Sequence, residues 1–469
     1  MADKRRIAAT SGRVLTGVLG AAVFLGVVIA VGQVQLPVVA VDAPKTTVTP
    51  TASDQFRLCP GPLLRQGGDA STGSFAQPAM SFAASSAPEQ SALLAPDNVL
   101  GDRFGAPTVL SVTGGEGDER PQIGAAQSQA ADLDDLTGFA ATACGEVSAD
   151  SWLVGGSTDV GRTTMLSLSN PNRADAVVDL SFFGETGAIE APGAQGIIVP
   201  AGENRVLSVA SFAPGVRTPV IRVQSSGGQV VAALQHSVTR GITPGGIELS
   251  LPTAAPSLNQ VIPGVVLTDS APVPDGEIYD DSIGALRLFV PGTEPAQVEI
   301  SFLSEQGAEA PASLNYSIQG GVVQEVTLNE LPAGSYSVSI SSDKPLVASA
   351  RTTAVAGESS DFAWFGASAA LEDDIQLAVA PGEGATLHLS NPTSANLDVV
   401  LTDGGGTATQ VAVPAGTAVQ TTVRAGMAYS VSGVGGAYAQ VSFTSAAGFS
   451  AYAIQPTNPL ATPVIVYPR

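Results

Sequence analysis

The sequence predicts an all-β protein made of tandem immunoglobulin-like β-sandwich repeats behind one N-terminal transmembrane helix. Three observations support this fold class. Charged residues make up only 13% of the 469-residue chain, while glycine and proline number 52 and 33, which favours short strands joined by turns. A strand pattern recurs three times along the chain. One long apolar run stands near its start.

The apolar run covers residues 14–32 without a charge, and extended to residue 36 it reaches the roughly 20 residues that a membrane-spanning helix needs. Four basic residues precede it: Lys4, Arg5, Arg6 and Arg13. Because they lie only on its N-terminal side, the positive-inside rule places the N-terminus in the cytoplasm and the bulk of the chain outside. We expect a single-pass protein of the cell membrane. The alternative is a cleaved secretory signal, with weak cleavage sites at residues 38–40 and 41–43.

Composition sets the remaining boundaries. We predict a cytoplasmic basic tail (1–13), a transmembrane anchor (14–36), a Thr/Pro linker (37–55) and three β-sandwiches (56–255, 256–370 and 371–469). The first sandwich is long because it carries a low-complexity insertion at about 66–135, rich in Ala, Ser, Gly and Gln. We expect this insertion to be poorly ordered, apart from a strand at 107–112.

The repeat is the strongest structural signal in the exported part. Each copy alternates apolar and polar residues at period two, as half-buried strands do, and an X-Pro dipeptide ends its first strand because proline cannot donate to a ladder. The copies are residues 166–182, 286–302 and 387–401. Their dipeptides are Asn170-Pro171, Val290-Pro291 and Asn391-Pro392.

Charge and cysteine content narrow the function further. A formal net charge of −22 repels nucleic acid, so we expect no nucleic-acid partner. The two cysteines, Cys59 and Cys144, are predicted to form a disulfide, because the exported part lies in an oxidising compartment. Two free buried thiols are the alternative.

Candidate catalytic and metal-binding residues are few, and we predict no cofactor and no metal. The two histidines, His236 and His388, alternate with apolar neighbours in different repeats, so both are expected to point away from the core. The acidic stretch from Asp275 to Asp281 is the best candidate for calcium, although solvated loop charge also explains it. Further acidic stretches lie at residues 116–119, 132–135 and 372–374.

The two tryptophans, Trp152 and Trp364, each precede a copy of the repeat. If exposed, their rings could stack on sugars, which gives a glycan-binding hypothesis for this pair. The alternative is that each fills a core or an interdomain contact, since large aromatic side chains are mostly buried.

The chain resembles a family of uncharacterised, membrane-anchored extracytoplasmic proteins of actinobacteria. The segments that carry the resemblance are residues 58–63, 144–146, 151–158, 161–164 and 168–171. The resemblance implies a membrane-anchored topology and a cell-envelope location, and it transfers no functional residues.

Together these observations predict a non-catalytic scaffold or interaction module of the cell envelope, attached to the membrane through its own helix. Its partner would be an envelope protein or a wall polymer, because sandwich loops and edge strands are common binding surfaces. A glycan-binding or cell-wall-binding accessory protein is one alternative. An exported enzyme is another, which the shortage of histidine and of converging motifs argues against.

Overall fold

The computed structural model describes residues 46–48, 54–67, 72–101, 103–114, 121–269, 281–307, 313–356, 359–371, 374–446, 448–456 and 464–466. The described chain is all-β, as predicted. Within these ranges no helix has the length and apolarity to cross a membrane, and the predicted anchor at 14–36 lies outside them.

The chain divides into two units. The smaller comprises residues 1–49 and 463–469, and the larger residues 50–462. In the smaller unit β1 (Thr46–Val48) pairs antiparallel with a strand at Val464–Val466. The larger unit contains an N-terminal module (55–143) and three further modules (150–250, 257–366 and 374–453), here named first, second and third.

The N-terminal module forms sheets of its own, in the orders β2-β7-β6, β5-β8-β9 and β3-β4. The expected poorly ordered insertion is therefore wrong for the described part of 66–135, which is largely strand, whereas the strand expected at 107–112 is confirmed as β7. Polar contacts order this segment: Gln127 Oε1 accepts the Gly61 N–H at 3.0 Å and Gln129 Oε1 accepts that of Leu63 at 2.9 Å. The strands are β2 (Gln55–Cys59), β3 (Leu64–Gln66), β4 (Thr72–Ser74), β5 (Ala79–Ala84), β6 (Glu89–Ala92), β7 (Thr108–Val112), β8 (Ile123–Leu133) and β9 (Leu136–Ala143).

The first module has two sheets, β10-β16-β12-β13 with β14 beside β12, and β15-β11-β17-β18. Apolar side chains from both sheets, among them Leu153, Leu166 and Val178, share one core. The strands are β10 (Asp150–Val154), β11 (Arg162–Ser169), β12 (Ala176–Gly184), β13 (Gly187–Ile189), β14 (Ile197–Val199), β15 (Asn204–Ser208), β16 (Val220–Ser226), β17 (Val231–Arg240) and β18 (Thr243–Ser250), with a 3-10 turn at Val209–Ser211.

The second module repeats this plan around its own core. Its long strand β24 serves both layers: the first part pairs with β19 and β21, and the second part pairs with β20 and β25. The strands are β19 (Ser257–Leu267), β20 (Ala285–Phe289), β21 (Ala296–Ser304), β22 (Leu314–Ile318), β23 (Val323–Thr327), β24 (Gly334–Ala356) and β25 (Ser359–Gly366).

The third module has the sheets β26-β31-β28-β29 and β30-β27-β32-β33. Its core also takes in Ala126, Ala141 and Ala143 of the N-terminal module. The strands are β26 (Asp374–Ala378), β27 (Ala385–Asn391), β28 (Leu397–Asp403), β29 (Ala408–Val413), β30 (Thr417–Thr422), β31 (Ala428–Ser432), β32 (Tyr438–Ser445) and β33 (Gly448–Ala453), and the strand at Val464–Val466 is β34.

The sequence repeat occupies equivalent strands in the three modules. β11, β20 and β27 each lie between two neighbouring strands of one layer, and β12, β21 and β28 belong to the other layer of their module. The Asn-Pro corner has the same role in the first and third copies. Asn170 Nδ2 donates to the carbonyls of Ala174 and Val199, both at 2.9 Å, and Asn391 Nδ2 makes the equivalent bonds across its own corner.

The modules form a closed ring around four inner strands. β9, β18, β25 and β33 are each the last strand of a sheet, and each packs against the next, with β33 returning to β9. The seam between the N-terminal and third modules is closed by polar contacts, such as the Ser81 hydroxyl donating to the Val379 carbonyl at 2.7 Å. Ring closure explains why the outer faces of several sheets are buried.

Candidate functional site

One carboxylate stands at the centre of the ring. The four inner strands have Gly138, Gly246, Asp361 and Gly448 at corresponding positions, so Asp361 takes the place that glycine holds in the other three. A Cβ on Gly138 or Gly246 would lie 2.7 or 2.5 Å from Asp361 Oδ1, and a Cβ on Gly448 would lie 2.1 Å from the Phe139 Cβ. Glycine is therefore required around this side chain.

Backbone N–H groups from all four inner strands donate to Asp361. Oδ2 accepts from Phe139 at 2.8 Å and Phe449 at 3.0 Å, and Oδ1 accepts from Phe362 at 3.0 Å and Ile247 at 3.2 Å. Each donor follows one of the corresponding positions, so a single side chain connects the four inner strands.

The electrostatics of Asp361 combine two opposed effects. Burial raises the pKa of its carboxyl to about 7, although the four N–H donors pull that pKa down. Glu248, one residue beyond the Ile247 donor, is fully buried, and burial raises its pKa well above the usual range. Glu248 Oε1 accepts from the Ser450 hydroxyl at 2.7 Å and the Leu249 N–H at 2.9 Å. Burial thus favours the neutral form of Glu248, while Asp361 titrates near neutral pH.

A cleft of about 520 Å³ opens at the end of the inner strands where Asp361 lies. Lining residues come from the β8–β9, β24–β25 and β32–β33 hairpins and from Thr268, and they include Asp132, Thr137, Ser360, Asp361 and Thr444. A second cleft, of about 410 Å³, lies where the chain leaves the same strands, between segments 145–148, 252–255, 367–369 and 453–456, and Trp152 is among its lining residues. Both volumes are in the range of small-molecule sites.

The tryptophans are buried in this structure, with Trp152 5% and Trp364 3% exposed. Trp152 packs against Phe183 and Phe289, with the Arg222 guanidinium 5.2 Å from its ring centroid. The Trp364 indole lies under Arg287, whose Cζ is 4.6 Å from the ring centroid. Neither indole presents an open face to a sugar ring.

Both histidines were expected to point away from the core, but both rings are buried, at 2% exposure for His236 and 1% for His388. A neighbouring module covers the outer sheet face on which each ring lies. His236 Nδ1 accepts from Trp364 Nε1 at 3.3 Å, and burial lowers its pKa to about 3. His388 Nδ1 lies 2.5 Å from Glu305 Oε2, and its Nε2 lies 2.8 Å from Ser442 Oγ. Each histidine connects two modules.

Of the calcium candidate, only Asp281 lies within the described residues, and it forms ion pairs. Its oxygens accept from Arg162 Nε at 2.9 Å and Arg240 Nη2 at 2.8 Å. Although burial opposes ionisation, these arginines hold the pKa of Asp281 well below its usual range. No group of three or more His, Cys, Asp or Glu side chains placed to hold a metal occurs in the described part of the chain.

The predicted Cys59–Cys144 disulfide is present, and both cysteines are buried. It joins β2 to the segment after β9 and lies in the small core of the N-terminal module. In an oxidising compartment a bridge of this kind is structural.

Arg287 was not singled out by sequence reasoning, and nor were Asp361 and Glu248. Arg287 is fully buried; its guanidinium donates to the Gly156 carbonyl at 2.8 Å and to Glu325 Oε1 at 2.9 Å, so it joins the first and second modules. The sequence signal for Asp361 is a dipeptide that recurs near the start of each inner strand. It is Gly-Phe at 138–139, Gly-Ile at 246–247, Asp-Phe at 361–362 and Gly-Phe at 448–449, so the aspartate replaces a glycine.

Residues 99–424 match a family of unknown function (DUF5719). The chain belongs to this family. The match includes Glu248 and Asp361 and ends before β31. The comparison with curated proteins found no match. Among solved structures, the crystal structure of Thermotoga maritima 1070 is 19% identical, with 24% of this chain and 93% of that chain covered, at a TM-score of 0.21.

Proposed function

We propose that this protein is a non-catalytic scaffold or interaction module of the cell envelope. A single N-terminal helix at residues 14–36 would anchor it, with the N-terminus in the cytoplasm and the ring outside. The basic residues before the apolar run support this orientation, and the buried disulfide suits an oxidising compartment. The proposal extends to its being one of the actinobacterial anchored proteins that it resembles, with immunoglobulin-like sandwiches as its modules.

The observation that carries an interaction role is the 520 Å³ cleft at the centre of the ring. It is built by hairpins of rigid sheets, and ligand sites of many proteins lie in loops positioned by such scaffolds. Catalysis by histidine is unavailable there, because His236 and His388 are buried between modules. The glycan-binding alternative would need surfaces other than the two buried indoles.

Two experiments test this proposal. Alkaline phosphatase, which is active only outside the cytoplasm, is fused after residue 469 or after residue 13. We expect activity from the first fusion alone, and the reverse pattern would contradict the orientation. N-terminal sequencing of the mature chain separates a retained anchor from a cleaved signal, since a start near residue 41 or 44 would contradict the anchor.

The interaction role is tested by co-sedimentation of the purified chain with isolated peptidoglycan and wall polysaccharide, followed by crosslinking in intact cells. Saturable, sugar-competed sedimentation would indicate a wall ligand. A crosslinked envelope protein without sedimentation would indicate a protein partner. If the chain neither sedimented with the wall nor crosslinked to an envelope protein, the interaction role would be contradicted.

A further inference from the structure

The cleft beside Asp361 is lined by apolar side chains together with hydroxyl and carboxyl groups. Its polar side chains include the Asp132 and Asp361 carboxyls and the hydroxyls of Thr137, Ser360 and Thr444. Among its lining residues in the described chain, none is Lys, Arg or His. The Asp361 oxygens already accept four backbone N–H bonds, so Asp361 offers a ligand its charge, while the Asp132 carboxyl and the hydroxyl oxygens remain as acceptors for a ligand that donates hydrogen bonds.

Asp361 has hydrogen bonds but no cationic partner. Its four donors are neutral backbone N–H groups, and no ion pair found among the described residues includes it. Arg240 approaches the cleft, with Nη1 3.4 Å from Ser360 Oγ, but its Nη2 is paired with Asp281 at 2.8 Å. A buried carboxylate without a counter-charge is costly, and a cation arriving beside it would reduce that cost.

We infer that the cleft binds a primary ammonium group, with the positive charge placed beside Asp361 and in reach of Asp132. The inference rests on the proposed interaction role and names its ligand class. The ammonium could belong to a small amine or to a lysine side chain of a partner protein, and the two sources share the same chemistry. The chain's formal charge of −22 also favours the approach of cations.

A proton and an ammonium would compete for Asp361. Because burial raises its pKa to about 7, amine affinity should rise as the pH increases through 7. Charged or titratable groups of the described chain lie on the strands packed around it. Burial raises the pKa of Glu248 on β18, Arg240 on β17 is paired with Asp281, Arg351 on β24 lies over the Trp364 ring, and Asp132 on β8 lines the cleft. β9 has no titratable side chain, and on β33 only Tyr452 could titrate, although burial raises the pKa of its hydroxyl.

The test is isothermal titration of the full chain with 1,5-diaminopentane at pH 8 and pH 6, with 1-pentanol as the uncharged probe. We expect saturable binding of the diamine at pH 8, at least about tenfold weaker at pH 6, and none of the alcohol. A peptide acetyl-Gly-Lys-Gly-amide distinguishes the sources. Binding of the diamine alone indicates a small amine, and binding of the peptide indicates a partner's lysine.

Three variants locate the site. Asp361→Asn should abolish diamine binding, and the exposed Asp132→Asn, which leaves the ring centre intact, should weaken it several-fold. Asp398→Asn, on the exposed part of β28, removes the same charge elsewhere and should bind normally. Absence of binding at pH 8, or binding unchanged by both cleft variants, would overturn the inference. Either outcome would leave the proposed function standing, because that proposal is tested separately by the phosphatase fusions and by crosslinking in intact cells.

Discussion

The pH dependence of stability should reveal the state of Asp361 directly. Its pKa is about 7 in the folded chain and near the ordinary 3.8 once unfolded, so folding takes up a proton between about pH 4 and pH 7. An acid whose pKa is raised by folding loses stabilisation as the pH rises through this window. A shift of about three pH units corresponds to about 4 kcal/mol of unfolding free energy.

The assay is urea unfolding followed by the fluorescence of the two buried tryptophans, for the wild type and for Asp361→Asn, from pH 4 to pH 8. Subtracting the variant's unfolding free energy from that of the wild type removes the contributions that other titrating groups make equally to both proteins. The difference should fall by about 4 kcal/mol across the range and level off above pH 7. Asp398→Asn, the matched control, removes the same charge from an exposed strand position and should not reproduce this fall.

The refuting result is a difference that stays flat or rises with pH. A carboxylate that accepts several backbone N–H bonds can have a strongly lowered pKa, so a rise would mean that the four donors outweigh burial. The Asp361 carboxyl would then be a permanently charged connector of the inner strands, and its proposed competition between proton and ammonium would fail.

Three further predictions concern the contacts between modules and the disulfide. His236 has a folded pKa of about 3 against 6.5 unfolded, so its contribution to stability should be lost as the pH falls below 6.5, by about 1.4 kcal/mol per unit; pH-dependent unfolding of His236→Gln should lack that slope. Arg287→Met should lower the unfolding free energy by about 3–5 kcal/mol in urea titrations, because it removes the donor to the buried Gly156 carbonyl and one buried ion pair, and a loss below about 1 kcal/mol would contradict this role. Replacing Cys59 and Cys144 together by serine should cost about 2–5 kcal/mol, measured by thermal unfolding, and an unchanged melting temperature would show that the bridge adds nothing.

Local pattern predicted the strands well. The period-two alternation of the repeat identified β11 and β12, β20 and β21, and β27 and β28, because alternation depends only on which side of a strand faces its own core. The Asn-Pro dipeptides marked the strand ends for a local reason as well, since proline cannot donate to the ladder.

The features that the sequence did not predict depend on contacts between residues far apart in the chain. Composition suggested disorder for the insertion, yet residues such as Gln127 and Gln129 obtain hydrogen-bond partners about 66 positions away and so form part of ordered sheets. His388 alternates out of its own core, and only ring closure places Gly264 and Glu305 of the second module against it. The importance of Asp361 depends on four strands meeting, which becomes visible in sequence only after their register is known.

A carbon-13 NMR titration of the carboxyl of Asp361 in the folded chain, assigned with Asp361→Asn, reports its protonation directly. We expect a midpoint near pH 7 without ligand and a lower midpoint when 1,5-diaminopentane is added. A midpoint near the ordinary aspartate value of about 4, unmoved by the diamine, would contradict both the buried, unpaired carboxyl at the ring centre and the ammonium site built on it.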